Sequence, residues 1–349
     1  MTGSVTLKDL RQAFSLLDQR YSREKSYPVF LASARQRVAA RRKGRPPEAR
    51  ASDPDNVVGI GIGPKLVRGI PTETLAVRIY VRRKHPAAKI PSTFRLPAHV
   101  EQVPTDVIAV GAIRARQEPA SCSVNRRRFQ TRPVPAGISV GHYRITAGTL
   151  GCLVQDGAGT RYILSNNHVL AEENKAAAGD VILQPGRADG GRGNTPRHHI
   201  GMLARFIALD LAGRANTVDA AIAAVASHAV RSEICTVGPV AGLGRLRRNL
   251  LVQKHGRTTG HTVGIIRDVD SKVWVDYDSG TGLFTRQVGI EGGNELFSDG
   301  GDSGSLILDM ERRAVGLLFA GADDANVTWA NPIRRVLRVL RVRLVAAGG

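Results

Sequence analysis

The chain has 349 residues, of which 42% are hydrophobic and 23% charged, a balance that permits a sizeable packed core and argues against global disorder. Its 38 glycines and 17 prolines, against only 8 Phe, 6 Tyr and 2 Trp, favour many short strands over long helices. The net charge of +20 suggests a polyanionic partner, yet the basic residues are spread over the whole chain and the aromatic content is only 5%. Because bases stack on aromatic side chains, we do not expect nucleic acid to be the main partner.

The cysteines and the first residues indicate a reducing compartment. Cys122, Cys152 and Cys235 cannot build a disulfide framework, and at least one of them must stay unpaired. The N-terminal stretch carries charge where a secretory signal would need an apolar segment, and no apolar run approaches the roughly 20 residues of a membrane span. We therefore expect a cytoplasmic protein that does not bind a membrane.

Residues 1–55 are predicted to be a helical arm followed by a linker. Apolar residues recur there at the three- and four-residue spacing of one stripe on an amphipathic helix: Leu7, Leu10, Phe14 and Leu17. Pro28 interrupts the pattern, and a second helix is predicted to begin near Phe30. The arginines of this arm fit a solvated helix face or, alternatively, a docking surface for a regulatory protein.

Residues 56–111 are predicted to form a small α/β module. VVGIGIG and LAVRIYV are typical of two strands joined by a turn, and VPTDVIAVG gives a third strand. The glycine run resembles a dinucleotide-binding fingerprint, but Pro64 and a second strand follow where a phosphate-binding helix should begin. We therefore expect no nucleotide cofactor. Residues 112–135 are a polar, arginine-rich linker.

From Ala136 onward, short apolar runs between Gly, Asp and Asn turns predict two sets of about six strands. The first set, in residues 136–230, is GISVGHY, TLGCLVQ, RYILSNN, DVILQPG, IGMLARFIAL and VDAAIAAV. The second, in residues 231–349, is LLVQKHG, TVGIIRDV, KVWVDY, RQVGIE, GSLILD and AVGLLFA. Two such sets indicate a mainly β protein with two antiparallel barrels or sandwiches. A C-terminal helix follows, with Asn331 as N-cap and Pro332 in its first turn.

The strongest candidate for chemistry is Ser303, in the sequence GGDSGS directly before the apolar strand LIL. Glycines on both sides let the backbone turn sharply, so that the hydroxyl projects and neighbouring N–H groups converge on one point. The tetrahedral intermediate of acyl transfer needs a nucleophile beside two such donors. The same short sequence also occurs in ordinary turns, so the motif alone does not establish that Ser303 is a nucleophile.

Two other residues can activate such a serine. His168 ends the apolar strand YIL, and an imidazole titrates in the range needed to accept a serine proton. Asp219 opens the apolar run AAIA, where a carboxylate is costly to bury unless it is paired. An imidazole N–H is a partner that this carboxylate would orient. Taken singly, each residue has a plainer alternative: a structural histidine and a turn aspartate.

The three residues together resemble the chymotrypsin/trypsin-like serine peptidases. Their order is His168, Asp219, Ser303, with the first two in the first strand set and the serine in the second. The resemblance covers about residues 136–349 and includes KHGRTTG, similar to a hairpin of the second barrel, and VGLLFAG, similar to the strand that lines the substrate cleft. It implies a double antiparallel β-barrel of chymotrypsin type with a C-terminal helix, preceded by the arm and the α/β module.

The resemblance also implies a role for each site residue. His168 would be the general base and acid, Asp219 its orienting partner and Ser303 the nucleophile. The N–H groups of two residues would form the oxyanion hole: Gly301 and Ser303. The substrate pocket would be lined by three residues: Phe297, Phe319 and Gly321. Since a phenylalanine at the pocket base supplies no charge, apolar or small substrate side chains are expected. The alternative is a preference for Arg or Lys, with the charge supplied by nearby aspartates: Asp299, Asp323 and Asp324.

The chain departs from secreted members of this family. No cysteine follows His168, and Asp299 stands where a disulfide cysteine commonly flanks the serine loop, so the resemblance is to intracellular, disulfide-free bacterial and plant members. Phe319 or Leu318 occupies the place where a serine often supports the buried aspartate.

The long N-terminal region suggests regulation. Many relatives complete the oxyanion hole only when a new N-terminal amine pairs with the aspartate before the nucleophile, here Asp302. Because about a third of the chain precedes the first barrel, we expect the N-terminal region to restrain the enzyme until the 112–135 linker is cut or bound by a partner. Relatives that are active without processing stabilise the loop by other contacts, and in that alternative the linker is only a basic tether between independent domains.

The sequence thus predicts a trypsin-like serine endopeptidase that acts on proteins or peptides through an acyl-enzyme. No cofactor is expected. No metal site is expected either, because His198 and His199 lack a second ligand pair at zinc spacing and the aspartates of residues 268–278 lack the calcium-loop spacing. The alternatives are an inactive protease fold that serves as a scaffold and an arginine-rich nucleic-acid-binding protein.

Overall fold

The computed structural model describes most of the chain outside two N-terminal stretches. The described residues are 5–24, 56–67, 70–111 without 87, 89, 93 and 94, 113–115, 128, and 132–346 without 294, 323 and 324. The second helix predicted after Pro28 and most of the 112–135 linker lie outside these residues. No helix in the described part has both the length and the apolar character needed to cross a bilayer.

The N-terminal third contributes one helix and a small sheet. The helix buries Leu10, Ala13 and Leu17 against the first two strands, so the predicted amphipathic stripe is present. The elements are α1 (Leu7–Glu24), β1 (Val57–Val67), β2 (Ile70–Val81), β3 (His99–Val100), β4 (Val103–Ala109), β5 (Ile113–Ala115) and β6 (Val134–Ala136).

The first barrel contains the six strands that the sequence predicts. The elements of this part of the chain are β7 (Ser139–His142), β8 (Gly148–Thr149), β9 (Cys152–Gln155), β10 (Arg161–Ser165), α2 (Asn167–Leu170), β11 (Val181–Leu183), β12 (His199–Phe206), β13 (Ala215–Asn216) and β14 (Ala221–Ala224). Of these, β13 pairs instead with Leu283 and Phe284 of the second barrel. The antiparallel order is β9-β10-β14-β12-β11-β7-β8. Leu150, between β8 and β9, closes the barrel by accepting from Gly137 N–H at 2.7 Å and donating to Ile138 C=O at 2.9 Å.

The second barrel is also closed and six-stranded. Its antiparallel pairs run β18-β19-β20-β23-β22-β21 and return to β18. The remaining elements are β15 (Val230–Ile234), β16 (Gly238–Pro239), β17 (Gly242–Leu243), β18 (Leu251–Gly256), β19 (Gly260–Tyr277), β20 (Gly280–Gly292), β21 (Leu306–Asp309), β22 (Arg313–Ala322), β23 (Val327–Pro332), α3 (Ile333–Leu340) and β24 (Arg343–Leu344). The predicted double barrel with a C-terminal helix is confirmed.

Two local predictions in the second barrel are wrong. TVGIIRDV and KVWVDY form one strand, β19, because Asp270 adopts φ +65° and the register shifts between Asp268 and Ser271, so the strand bulges instead of ending. Asn331 is not an N-cap: it belongs to β23, and Pro332 precedes α3 without a side-chain cap. The apolar face of α3 packs on the barrels as expected.

The N-terminal sheet is continuous with the second barrel. β1 pairs antiparallel with β19, with Gly59 opposite Val273, and β2 pairs with the other edge of β1. A Cβ atom at Gly59 would lie 2.7 Å from the carbonyl oxygen of Lys272, so the glycine run of this module serves close strand approach. The junction also buries Arg78, which donates to the Pro64 carbonyl and to Glu291 at 2.9 Å.

Candidate active site

The candidate histidine lies on α2, a one-turn helix that directly follows β10 of the first barrel. His168 is 3% exposed, and its Nδ1 atom lies 2.5 Å from Oδ2 of Asp219, which is fully buried. A carboxylate at this distance holds the Nδ1–H tautomer, which leaves Nε2 as the proton acceptor. Nε2 is buried and has no hydrogen-bond partner among the described residues.

Three further donors stabilise the buried carboxylate of Asp219. Its Oδ1 accepts from the backbone N–H groups of Asn167 at 2.6 Å and His168 at 3.3 Å, and its Oδ2 accepts from the Tyr277 hydroxyl at 2.9 Å. Burial, together with the adjacent Asp219 carboxylate, raises the pKa of Tyr277 well above its ordinary value, so this hydroxyl stays protonated and donates. The charge of Asp219 is therefore satisfied without any contribution from Phe319, which has no hydroxyl.

Two asparagines hold the backbone of Asp219. The side-chain oxygen of Asn331 accepts from Asp219 N–H at 3.1 Å, and the amide of Asn166 donates to the Asp219 carbonyl at 2.8 Å. Both side chains are fully buried. Sequence reasoning missed Asn166, Asn331 and Tyr277 as site residues. For the two asparagines the available signal was a polar side chain at the end of an apolar strand.

The loop of Ser303 turns sharply at two glycines, as predicted. Gly301 has φ +92° and Gly304 φ +94°, in the region that favours glycine. The Gly300 carbonyl accepts from the Thr258 hydroxyl, and the Asp302 carbonyl accepts from the N–H and hydroxyl of Ser305 at 3.0 and 2.6 Å. In a trans peptide the N–H points opposite to the C=O, so these bonds fix the directions of the Gly301 and Ser303 amides.

Asp302 is held by a buried lysine. Lys254 Nζ lies 3.1 Å from Asp302 Oδ2, and both side chains are fully buried. Burial alone would raise the pKa of Asp302, but the Lys254 ammonium, the Thr259 hydroxyl and backbone N–H donors together hold it below its ordinary value. Asp302 therefore already has an amine partner in the intact chain, Lys254, so pairing of Asp302 with an amine does not require a newly cut N-terminus.

The two halves of the site meet where the barrels touch. Thr149 N–H donates to the Ser303 carbonyl at 2.8 Å. A Cβ atom at Gly148 would lie 2.5 Å from Val169, next to His168, and 3.1 Å from the Ser303 carbonyl oxygen. The histidine helix and the serine loop therefore flank the same glycine. A cavity of about 190 Å³ opens beside His168, lined by charged side chains of both signs.

The three predicted pocket residues lie in different packing environments of the second barrel. Phe297 is fully buried in the core of the second barrel, with its ring centroid 5.9 Å from Lys254 Nζ. Phe319 belongs to a separate cluster and packs against Phe284 at 4.7 Å. Gly321 lies on β22 at the position that pairs with β5.

Within the described ranges, no group of three or more His, Cys, Asp or Glu side chains could hold a metal ion.

Comparisons with known proteins return serine proteases among solved structures. Thermobifida fusca Protease A is 19% identical and matches over 61% of this chain and 99% of its own, with a TM-score of 0.45. Cellulomonas bogoriensis chymotrypsin is 18% identical over 61% of this chain and 99% of its own, with a TM-score of 0.43. No family model matches the chain, and no curated protein matches it. The resemblance drawn from the sequence is to the same group of proteins.

Proposed function

We propose that this chain is a serine endopeptidase that hydrolyses peptide bonds through an acyl-enzyme. The observation that carries the proposal is the buried His168–Asp219 pair, in which His168 Nε2 has no partner among the described residues and whose helix flanks the same glycine, Gly148, as the Ser303 loop. A buried imidazole held in one tautomer, near a serine on a sharp turn between two glycines, suits acyl transfer.

The proposed reaction uses each of these groups in turn. His168 Nε2 takes the proton of the Ser303 hydroxyl as Oγ bonds to the substrate carbonyl carbon, and Asp219 stabilises the imidazolium. The N–H groups of Gly301 and Ser303 donate to the oxygen that becomes negative. The imidazolium then protonates the leaving amine as the C–N bond breaks. Water hydrolyses the resulting ester, again giving its proton to His168, and Ser303 regains its hydrogen.

The substrate and the compartment are the finer parts of the proposal. Protein or peptide chains are the proposed substrates, and the preference for small or apolar side chains at the cleaved bond rests on the family resemblance alone, which assigns the uncharged Phe297 and Phe319 to the pocket. The thiols of Cys152 and Cys235 are free, which fits a cytoplasmic protein. Restraint by the N-terminal region is also proposed, in a form that does not require a new amine at Asp302.

A fluorophosphonate probe tests the reaction class. We expect it to form a covalent bond with Ser303 in the full chain, located by mass spectrometry of the digested protein, and to leave Ser303→Ala unlabelled. Ser227→Ala, which removes an exposed serine, is the matched control and should label like the parent. A folded protein that hydrolyses no peptide and takes no label at Ser303 would support the scaffold alternative.

Tyr277→Phe tests the support of Asp219. The change removes one hydrogen bond to a buried charge, so we expect kcat for peptide hydrolysis to fall by about tenfold to a hundredfold, the value of roughly 1.5–3 kcal/mol. KM should change little because Tyr277 does not touch the substrate in the proposed reaction. Tyr162→Phe is the control, since that hydroxyl bonds to Asp156 at 2.8 Å, away from the site. Equal kcat values in both variants would contradict this role.

A further inference from the structure

β5 lies between two strands that carry the candidate site. It pairs antiparallel with the end of β22, and the facing residues are Ala115 with Ala320, Arg114 with Gly321 and Ile113 with Ala322. On its other side it pairs in parallel with β19, where Arg114 faces Asp276, the residue before Tyr277. This three-residue strand belongs to the N-terminal region, yet both of its neighbours reach the site.

The edge of β22 that holds β5 is also the edge that holds the serine loop. β21 and β23 both pair with Leu317, so they lie on opposite edges of β22; β5 and β23 both pair with Gly321, so β5 lies on the β21 edge. On that edge, Gly304 N–H donates to the Leu318 carbonyl at 2.9 Å and Leu318 N–H donates to the Ser305 carbonyl at 3.0 Å. The last residue of β5, Ala115, therefore faces β22 two residues beyond the contacts of the serine loop.

The direction of β5 is that of a chain approaching the nucleophile. Its first residue, Ile113, faces Ala322, and its last residue, Ala115, faces Ala320, which is closer along β22 to Leu318 and the serine loop. An extended peptide that adds a strand to this edge would use the same backbone groups of β22. The edge cannot hold β5 and such a peptide at once.

β5 is also held at this edge by the burial of an apolar side chain. Ile113 is fully buried, in one cluster with Tyr277, Phe319 and Trp329. Burial of an isoleucine side chain stabilises the docked strand, so main-chain pairing and side-chain burial act together. Leaving the edge would expose this side chain and the main chain of β22.

We infer that Ile113–Ala115 occupies in cis the edge of β22 to which a peptide substrate binds, and that the intact chain is thereby its own competitive inhibitor. The inference rests on the proposed peptidase function. A tethered segment reaches an effective concentration in the millimolar range. If β5 binds the edge of β22 with a dissociation constant of ~0.1 mM, this concentration raises the apparent KM of a peptide about tenfold. Because the occupant competes only for binding, kcat at saturating substrate is unchanged.

Arg114→Pro in the full chain tests this competition. Proline has no N–H and fits poorly between two paired strands, so β5 should leave the edge. We expect the KM of an extended peptide substrate to fall about tenfold, with kcat unchanged. Arg114→Ala is the matched control, because it removes the same side chain and keeps the backbone donor, and its KM should equal that of the parent. Ile113→Ala removes most of the anchor and should lower KM by a smaller factor.

The fluorophosphonate label separates the two proposals. If Ser303 takes the label but neither Arg114→Pro nor Ile113→Ala lowers KM, the peptidase stands and the cis occupancy of the edge is wrong. If Ser303 takes no label in the parent or in any variant, the proposed function itself has failed. Should Arg114→Pro not fold, as judged by circular dichroism, the KM of Ile113→Ala decides.

Discussion

Ser303→Ala and His168→Ala should each lower kcat for peptide hydrolysis by about 10⁴- to 10⁶-fold. Without the Ser303 hydroxyl there is no nucleophile, and without the imidazole nothing accepts its proton. Both side chains are buried, but each substitution removes few atoms, so we expect the thermal unfolding temperature to change by only a few degrees. Steady-state kinetics and calorimetry on the full chain measure the two effects.

Two comparisons make this prediction specific. Ser227→Ala and His228→Ala remove an exposed serine and an exposed histidine of the first barrel, and should keep the parent's kcat. The effects of substituting site residues that act as a unit are not additive. The kcat of the Ser303→Ala/His168→Ala double variant should therefore be only slightly below that of the less active single variant. Substantial hydrolysis by Ser303→Ala would overturn the assignment of the nucleophile.

Lys254→Met should lower the free energy of unfolding by about 3–5 kcal/mol, because it leaves the buried Asp302 charge without its cation. Activity should fall with it, since Asp302 is the residue before Ser303 and its other bonds organise the serine loop. Urea unfolding and peptide hydrolysis measure the two losses. Lys8→Met, on the exposed face of α1, is the control and should leave both unchanged.

A second substitution and the pH dependence test the cause of that loss. In Lys254→Met/Asp302→Asn no unpaired charge is buried, so the double variant should be more stable than Lys254→Met alone. The folded pKa of Asp302 is lowered, so its stabilising contribution is present above the unfolded value of about 3.9 and is lost as the pH falls towards the lower folded value. In Asp302→Asn the free energy of unfolding should therefore fall less steeply as the pH is lowered. A double variant no more stable than the single one would contradict the ion-pair explanation.

The double barrel was predictable because alternating apolar residues and turn residues mark each strand locally. All six runs of the first set form strands, from Ser139–His142 to Ala221–Ala224. β23 was missed because Asn331-Pro332 at its end also reads as a helix start. The sequence predicted two strands where β19 is one. The polar residues between Asp268 and Ser271 form a bulge, and a bulge and a turn contain similar polar residues.

The partners within the site could not be predicted from local patterns. Lys254 is separated from Asp302 by 48 residues, and Tyr277 from Asp219 by 58 residues. Each pair is formed by the closure of a barrel or by contact between barrels, and neither residue differs in its local sequence from an ordinary strand residue. His168, Asp219 and Ser303 were recognisable because each sits in a motif with a chemical role, whereas KHGRTTG, which begins at Lys254, indicated only a hairpin and Tyr277 lies in no motif.

The pairing of β1 with β19 has a consequence for any shortened form of this protein. Between Val269 and Val273 the backbone of β19 hydrogen-bonds to the N-terminal sheet on one side and to β20 on the other. Removal of residues 1–135 would leave that stretch as an open sheet edge, and open edges recruit strands from other molecules. The barrels without their N-terminal third should therefore self-associate. In the full chain, β1 pairs with this edge of β19 and so prevents such aggregation.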